Sequence, residues 1–489
     1  MIARFFPYAR IKILTYGDSR VTRRYGWHVA ACIAIFACAH AGAAEGDLDA
    51  RFGQNGIVFL DNAGEPLATS RPVVDRDGTI LICRSGYSSL APPVVTGVVY
   101  RLAADGSIDS GFGSGNGAVF PTDEGNLSCG LALQHDGHIV VFSGRVASDG
   151  AAVPGLETEL VRFDADGTRD FDFGEGGIAH VDFVAGETDD ATAIAIAPDD
   201  SIVVGVPLHP NRFGVARFDR GGVLDASFGE GGRAMIQFPI ATLSSQSIAN
   251  VLIDAQGRTV VVGSIMTEPV GREVFAFARL SRDGSPDTAF GEGGRATIDF
   301  GEASAAPGVG VLQGDRIVAV GSVKTVWPPN EGSGNADVAA VRLRDDSTPD
   351  PSFGEAGLAI VPIDRTPDAF DLAFDAIATP DGGLAIVGAT ESASGDERGF
   401  LMRLDARGAP LPRFGDDGVR IFDGVQNGAN AATTFIGIAA HGSGYVVSGH
   451  TGASPAPAMQ GFVVRIEGPE AGRHSRHRSK SPTLPVRAR

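Results

Sequence analysis

Short apolar runs separated by Gly- and Asp-containing turns fill the chain from Glu45 onward. The interval after Phe228 shows the order. Arg233-Ala234-Met235-Ile236-Gln237-Phe238 predicts a strand, a polar loop follows, and Ile248 to Asp254 predicts a second strand. Gln256-Gly257 is a turn, Arg258 to Ser264 a third strand, and Val274 to Leu280 a fourth that ends at the Asp283-Gly284 turn. Short runs of β-branched and aromatic residues bounded by such turns are the mark of strands and hairpins. No stretch sustains a helical period of apolar residues.

The same order returns with Phe52, Phe112, Phe173, Phe228, Phe290, Phe353 and Phe414, each followed by Gly and shortly by another Gly; the spacings are 60, 61, 55, 62, 63 and 61 residues. Units of this size that cannot bury their apolar faces alone must stack on their neighbours. Four strands per unit, repeated seven times, predict an all-β fold: a single seven-bladed β-propeller of four-stranded blades. The array spans residues 45–467, between an N-terminal segment (1–44) and a C-terminal one (468–489).

Two sets of connections are tight. One comprises Asp77-Gly78, Asp136-Gly137, Asp199-Asp200, Gln256-Gly257, Gly314-Asp315 and Asp381-Gly382; the other comprises Asp105-Gly106, Asp166-Gly167, Gly221-Gly222, Asp283-Gly284 and Arg407-Gly408. The remaining connections are long and varied, as in Ser85 to Gly97, Arg145 to Glu157 and Ser322 to Asp337. Tight and long connections alternate along the chain, so the tight turns should collect on one face of the ring and the long loops on the other. Varied loops on a rigid scaffold are where binding usually sits. The long-loop face is therefore the expected binding face.

Arginine recurs before the second tight turn, at Arg101, Arg162, Arg217, Arg279, Arg342, Arg403 and Arg465. Eight residues after each of the first five stands Asp109, Asp170, Asp225, Asp287 or Asp350. A three-residue hairpin loop ending in Gly sets such residues opposite each other, as exposed cross-strand pairs worth roughly 0.2–1 kcal/mol each. Leu411 stands in the Asp place of the sixth copy, and Ser347 in the Gly place of the fifth. Asp49 has no Arg before it, and Arg465 has no Asp after it. If the segment from Asp49 to Leu60 forms the outer strand of the last blade, the two meet. The ring is then closed by its N-terminal strand, which removes the open sheet edges.

The segment Gly-x-x-Asp-x-x-Phe-Gly, as in Gly106 to Gly113, and the hairpin Asp-Gly-x-Ile-Val-Val, as in Asp136 to Val141, resemble the delta-60 repeat family of bacterial exported proteins. The resemblance covers about residues 46–467. It implies a β-propeller-like fold in a surface, periplasmic or secreted protein, and it implies no activity.

The N-terminal segment reads as an export signal. Arg20, Arg23 and Arg24 precede a mostly apolar stretch from His28 to Cys38, and Ala39-His40-Ala41 and Ala41-Gly42-Ala43 offer cleavage sites. That stretch is shorter than the roughly 20 residues a membrane span needs, so no span is expected in the mature chain. Phe36 fits a lipoprotein signal at Cys38 poorly.

The net charge of −19 conceals a contrast. Residues 1–44 and 468–489 each carry six Lys/Arg against one acid, which leaves the body at −29. A surface that acidic repels phosphate backbones, so nucleic acid is not an expected partner. The C-terminal segment is Pro-, Ser- and Arg-rich and reads as a disordered basic tail that can lie on the acidic body or on an anionic surface. Of four cysteines, Cys83 and Cys129 remain after processing. An exporting compartment permits a bridge between them, but they fall at different places in neighbouring repeats, which argues against one.

Candidate chemistry is thin. Asp164-Ala165-Asp166-Gly167-Thr168-Arg169-Asp170 is superficially like a calcium loop, with Glu175 as a closing acid. Arg169 stands where that loop needs Gly, and no helices flank it. Gly113-Ser114-Gly115-Asn116-Gly117 belongs to the repeat's turn and lacks the helix of a phosphate cradle. The histidines of the body show no metal spacing; His135 and His138 flank a hairpin turn. No catalytic constellation, cofactor motif or metal site is expected. Trp327, with Asn330 and Glu331 in the same long loop, is the candidate ligand contact, since an exposed aromatic suits carbohydrate or peptide. The sequence thus reads as an exported, monomeric binding or scaffolding propeller of the cell envelope, with carbohydrate or protein as candidate partner. The alternatives are a propeller hydrolase or lyase, with acids on the long-loop face and a metal in the central channel, and a purely structural repeat protein. A cluster of inward-pointing Asp, Glu or His at the axis would favour the enzyme.

Overall fold

A computed structural model describes residues 44–469 except 61–64, 88–94, 116, 122–128, 147–155, 185–186, 188, 210–211, 240–245, 268–271, 302, 325–334, 364–369, 393–394, 423–431 and 453–459. The described residues form seven antiparallel sheets and no helix. They are the blades of a β-propeller, numbered 1 to 7 along the chain. Blade 4 is representative: Gln246–Ile253, Thr259–Thr267, Arg272–Leu280 and Arg295–Ile298 run in order from the inner to the outer edge. The expected strands fall within a residue or three of these bounds.

Burial explains the sequence pattern. Each sheet packs face to face on its neighbours, so the two middle strands lose water on both sides and read as continuous apolar runs. Arg272–Leu280 is buried over its last seven residues. Outer strands keep one wet face and alternate, as in Ile178–Val181 and Leu358–Val361. The core clusters cross blade boundaries: Val318, Val320 and Val338 of blade 5 pack with Leu384, Ile386 and Met402 of blade 6.

The Phe-Gly motif joins each blade to the next. Phe112 is fully buried, and Arg101 of its own blade lies over the ring at 4.7 Å from the centroid. The same stack recurs for Arg162 on Phe173, Arg279 on Phe290 and Arg342 on Phe353. The ring's other neighbour is the hairpin glycine one blade on. At Gly408 (φ +79°), a Cβ would sit 2.9 Å from ring atoms of Phe353, so that position tolerates no side chain. The motif's own Gly donates its N–H to the next turn, as from Gly113 to the Asp166 carbonyl at 2.7 Å and from Gly354 to Arg407 at 2.7 Å. The Phe ring and the Gly that follows it therefore both contact the following copy of the motif.

Blade 7 contains the seam. Ala432–His441, Gly444–Gly452 and Gln460–Ile466 are completed by the N-terminal strand Ile57–Phe59, paired antiparallel with Gln460–Ile466. The second tight turn of this blade is split between the two ends of the array. Gly46 donates to the Glu467 carbonyl at 2.8 Å, Glu467 donates to Asp47 at 2.8 Å, and Asp49 donates to Arg465 at 2.9 Å.

Cys83 in blade 1 and Cys129 at the start of blade 2 are disulfide-bonded, with 6.1 Å between their Cα atoms. This corrects the argument from unequal repeat positions. Because sheets of adjacent blades face each other, unlike positions are the ones that meet across the interface. Among the described residues, no helix is long and apolar enough to cross a membrane.

Candidate functional site in the axial channel

Each inner strand runs from the long-loop side toward the tight-turn side, and the seven together line the axis. In blades 4, 5, 6 and 7 the inner strand carries a register shift at one equivalent place: Ile248/Asn250, Pro307/Val309, Ala373/Asp375 and Phe435/Gly437; in blade 1 the shift, Pro66/Ala68, lies two residues nearer the long-loop side. A bulge re-aims the residues beside it. Here Ala249, Gly308, Phe374 and Ile436 line a cavity of about 300 Å³ on the long-loop half of the channel, to which all seven blades contribute.

The polar residues after the bulge sew one inner strand to the next. The Thr192 hydroxyl donates to the Ile248 carbonyl at 2.7 Å, and the Asn250 amide to Gly310 at 3.0 Å. Asp375 accepts the Ile438 N–H at 2.8 Å. It also forms a two-pronged ion pair with Arg71, through Nε at 3.1 Å and through Nη2. Arg71 belongs to blade 1 and Asp375 to blade 6, so the pair spans blade 7. Two features permit the reach. The inner edge of blade 1 is broken into Glu65–Thr69 and Val73–Val74, with Pro72 unable to donate between them. Across the gap stands Gly437, where a Cβ would lie 2.3 Å from the Arg71 Cα. Asp375 is 3% exposed, whereas the Arg71 side chain is 40% exposed, toward the cavity. Burial raises the Asp375 pKa, opposed by the Arg71 charge and by hydrogen bonds from Ile438 and Ala376.

Below this, the channel opens at the tight-turn face as a funnel of about 860 Å³. Leu131, Leu133, Ile194, Ile196, Ile377 and Ile438 wall it; Asp75, Asp77 and Asp136 stand on the rim with Arg76 and His135.

The expected Arg–Asp pairs are found as follows. Arg101 meets Asp109 at 2.6 Å, Arg162 meets Asp170 at 2.5 Å, Arg279 meets Asp287 at 2.7 Å and Arg342 meets Asp350 at 3.0 Å. Arg465 is ion-paired with Asp49 across 416 residues of sequence. Arg217 stands 3.4 Å from Asp225 and closer, 2.6 Å, to Asp199. These side chains also reach beyond their hairpins. Arg217 donates to the Arg282 carbonyl at 3.1 Å and Arg342 to Ala406 at 2.8 Å, each one blade on. Arg403, whose Asp place is taken by Leu411, pairs with Asp381 at 2.8 Å and with Glu45 at 2.6 Å. Arg279 and Arg403 are each 1% exposed, and Arg162 and Arg342 are buried with them, so these four are packed interface residues, whereas Arg101, Arg217 and Arg465 are half-buried.

Trp327, Asn330 and Glu331 lie outside the described residues. On the tight-turn face His138 Nδ1 meets Asp136 at 2.8 Å and Nε2 meets Asp164 at 3.3 Å. His138, Asp164 and Asp170 form a group whose ligand atoms fall within 4.8 Å of one another, close enough to hold a metal ion. Sequence spacing missed the group because it is gathered across two hairpins. Arg162 already neutralises Asp170.

A family model described as a domain of unknown function (DUF5122) beta-propeller matches residues 76–112, 197–228 and 257–290. Each segment begins at or beside the first tight turn and ends at or beside the Phe-Gly motif, and the match supports a β-propeller repeat family. No curated protein matches the chain. Among solved structures, polysaccharide lyase Uly1 is similar at 10% identity and a TM-score of 0.47, covering 88% of this chain and 94% of that one. The β-propeller domain of the Trilobed protease from Pyrococcus furiosus is similar at 10% identity and 0.42, over 82% and 95%. The α-L-arabinofuranosidase Arb93A from Fusarium graminearum is similar at 12% identity and 0.42, over 85% and 98%.

Proposed function

We propose that this chain is an exported binding propeller of the cell envelope, a delta-60 repeat protein that takes a small polar ligand such as a saccharide from its long-loop side. The observation that carries the reading is the bulge-built cavity of about 300 Å³, in which Arg71 is held by Asp375 with part of its guanidinium free, beside Asn250 and Phe374. A fixed donor set against an apolar ring suits a ligand with hydroxyl edges and carbon–hydrogen faces. The Cys83–Cys129 disulfide supports export, since such bonds persist in oxidising compartments.

Binding is favoured over hydrolysis. Glycoside hydrolysis ordinarily needs two carboxylates flanking the bond. The described lining of this cavity holds one, Asp375, already engaged by Arg71.

The test is calorimetric titration of the purified mature chain with a panel of envelope saccharides, beside Asn250→Leu and Trp327→Ala. Binding that Asn250→Leu weakens at least about tenfold, equivalent to about 1.4 kcal/mol, supports the cavity. Loss in Trp327→Ala alone moves the site to the loop. Cleaved saccharide in the mixture would establish the enzyme instead, and no binding to any member would remove the saccharide reading.

A further inference from the structure

We propose that the C-terminal segment of this chain, residues 480–489, docks into the aliphatic funnel on the tight-turn face. The inference is independent of any ligand on the opposite side of the ring.

The funnel offers about 860 Å³ walled by aliphatic side chains, including Leu133, Ile196 and Ile438. Its rim bears Asp75, Asp77 and Asp136, the last ion-paired with Arg220 at 2.8 Å, against Arg76, an Arg71 that is bound to Asp375, and a His135 that is engaged by Asp200 at 2.6 Å. An apolar hollow with an acidic rim calls for an occupant with an apolar centre and cationic flanks. The chain carries one. Lys480-Ser481-Pro482-Thr483-Leu484-Pro485-Val486-Arg487-Ala488-Arg489 sets Leu484 and Val486 between Lys480 on one side and Arg487 and Arg489 on the other.

The chain also leaves the fold at the right place. Gly468 packs on the tight turn of blade 7, where a Cβ would lie 1.8 Å from the Ser443 carbonyl oxygen. His441, at the start of that turn, reaches the Gly78 carbonyl of blade 1 at 3.0 Å. Gly78 follows Asp75 and Asp77 on the same turn, so the exit lies one turn from the rim. Sixteen residues separate Gly468 from Leu484, a reach of about 50 Å when extended. That is about twice the radius of gyration, ~22 Å, expected for a domain of this length. Tethering makes the encounter intramolecular, at an effective concentration in the millimolar range.

The test is photo-crosslinking in the full chain, with benzoylphenylalanine at position 484 in place of Leu484 and cross-links mapped by mass spectrometry. The expected result is intramolecular cross-links to residues 131–137, 194–196 or 438–440. Their yield should fall several-fold at about 0.5 M salt, where charge attraction is screened within a few ångströms. Asp75→Asn/Asp77→Asn should lower the yield likewise while the thermal midpoint stays put, since Asn still accepts the Thr79 N–H that Asp77 accepts at 2.8 Å. Cross-links only between two copies, only to the long-loop side, or no more abundant than from the same probe at Ala471 would each overturn the proposal.

Discussion

Replacing Arg71 with Met removes the positive partner of a carboxylate that the fold has taken almost wholly out of water. Asp375 is 3% exposed and keeps hydrogen bonds from two backbone N–H groups, Ile438 at 2.8 Å and Ala376 at 2.9 Å. These offset part of its lost hydration and leave the charge uncompensated. Breaking a buried pair from one side costs roughly 3–5 kcal/mol. Because the Arg71 side chain is 40% exposed, the lower end applies, about 3 kcal/mol at pH 7. Burial already raises the Asp375 pKa, with Arg71 pulling it down, so Arg71→Met raises it further. An acid whose folded pKa lies above its unfolded value destabilises the fold at high pH, and protonation relieves the penalty. The cost of Arg71→Met should therefore shrink as pH falls toward about 4, the ordinary Asp range. Urea unfolding followed by circular dichroism, with the disulfide intact, reads the shift in midpoint. Arg71→Met/Asp375→Asn should regain most of the loss, since Asn still accepts from Ile438. A loss below about 1 kcal/mol at pH 7, unchanged on acidification, would refute the account of Asp375 as a charge that depends on Arg71.

The Cys83–Cys129 bridge joins residues 46 apart, so Cys83→Ser/Cys129→Ser should lose about 4 kcal/mol on the chain-entropy estimate, read as an earlier urea midpoint that reductant no longer moves. Phe353→Ala empties the space between Arg342 and Gly408 and should cost about 3–5 kcal/mol in the same assay. Two aspartates should respond to acid in opposite senses. The Asp350 pKa is held at about 2 by the Ser352 hydroxyl and N–H and by Arg342 and Arg316, with burial opposing, so its contribution is present above pH 3.8 and lost toward pH 2. The Asp189 pKa is raised to about 6 by burial and by Asp182, against hydrogen bonds from Phe183 and Val184. Asp189→Asn should then gain about 1–3 kcal/mol at pH 7, and the gain should vanish as pH falls from about 6 to 3.8. Thermal midpoints from pH 7 down to about 2 check both.

What the chain revealed in advance is what touches its own next copy. Phe112 meets Gly167, Gly113 donates to Asp166, and Phe353 meets Gly408. Such contacts force the same residue types to return at the repeat spacing, so strands, turns and blade number could be read from periodicity. The pairing of Arg with Asp was legible for the same reason, but its burial was not. Spacing reports which residues face each other across a hairpin and says nothing of the blade that lies over them. Cys83 and Cys129 escaped because an interface between unlike positions leaves no periodic trace. The long-loop residues singled out for binding, Trp327 among them, rest on sequence alone.

The axial site was hidden by the logic that exposed the rest. The place that carries Asn250 in blade 4 carries Val309 in blade 5, Asp375 in blade 6 and Gly437 in blade 7. A repeat average erases such a position, yet variation at a structurally fixed place is what a channel needs to be chemically asymmetric. The asymmetry falls at the seam. Arg71 crosses Gly437 to Asp375 on the inside, while Arg465 meets Asp49 and Arg403 meets Glu45 toward the outside. Blade 7, the blade built from both ends of the array, is thus gripped from within and without by ion pairs linking residues hundreds of positions apart in sequence. Loop closure over such separations costs the most chain entropy in the fold. Contacts of this strength are expected where the ring would otherwise open, so Arg71 serves closure and offers its remaining donors to the cavity with the same side chain. A ligand that engages those donors binds at the joint, and its occupancy should slow opening of the seam more than opening of any other blade pair, which hydrogen exchange of residues 57–59 and 460–466 would register.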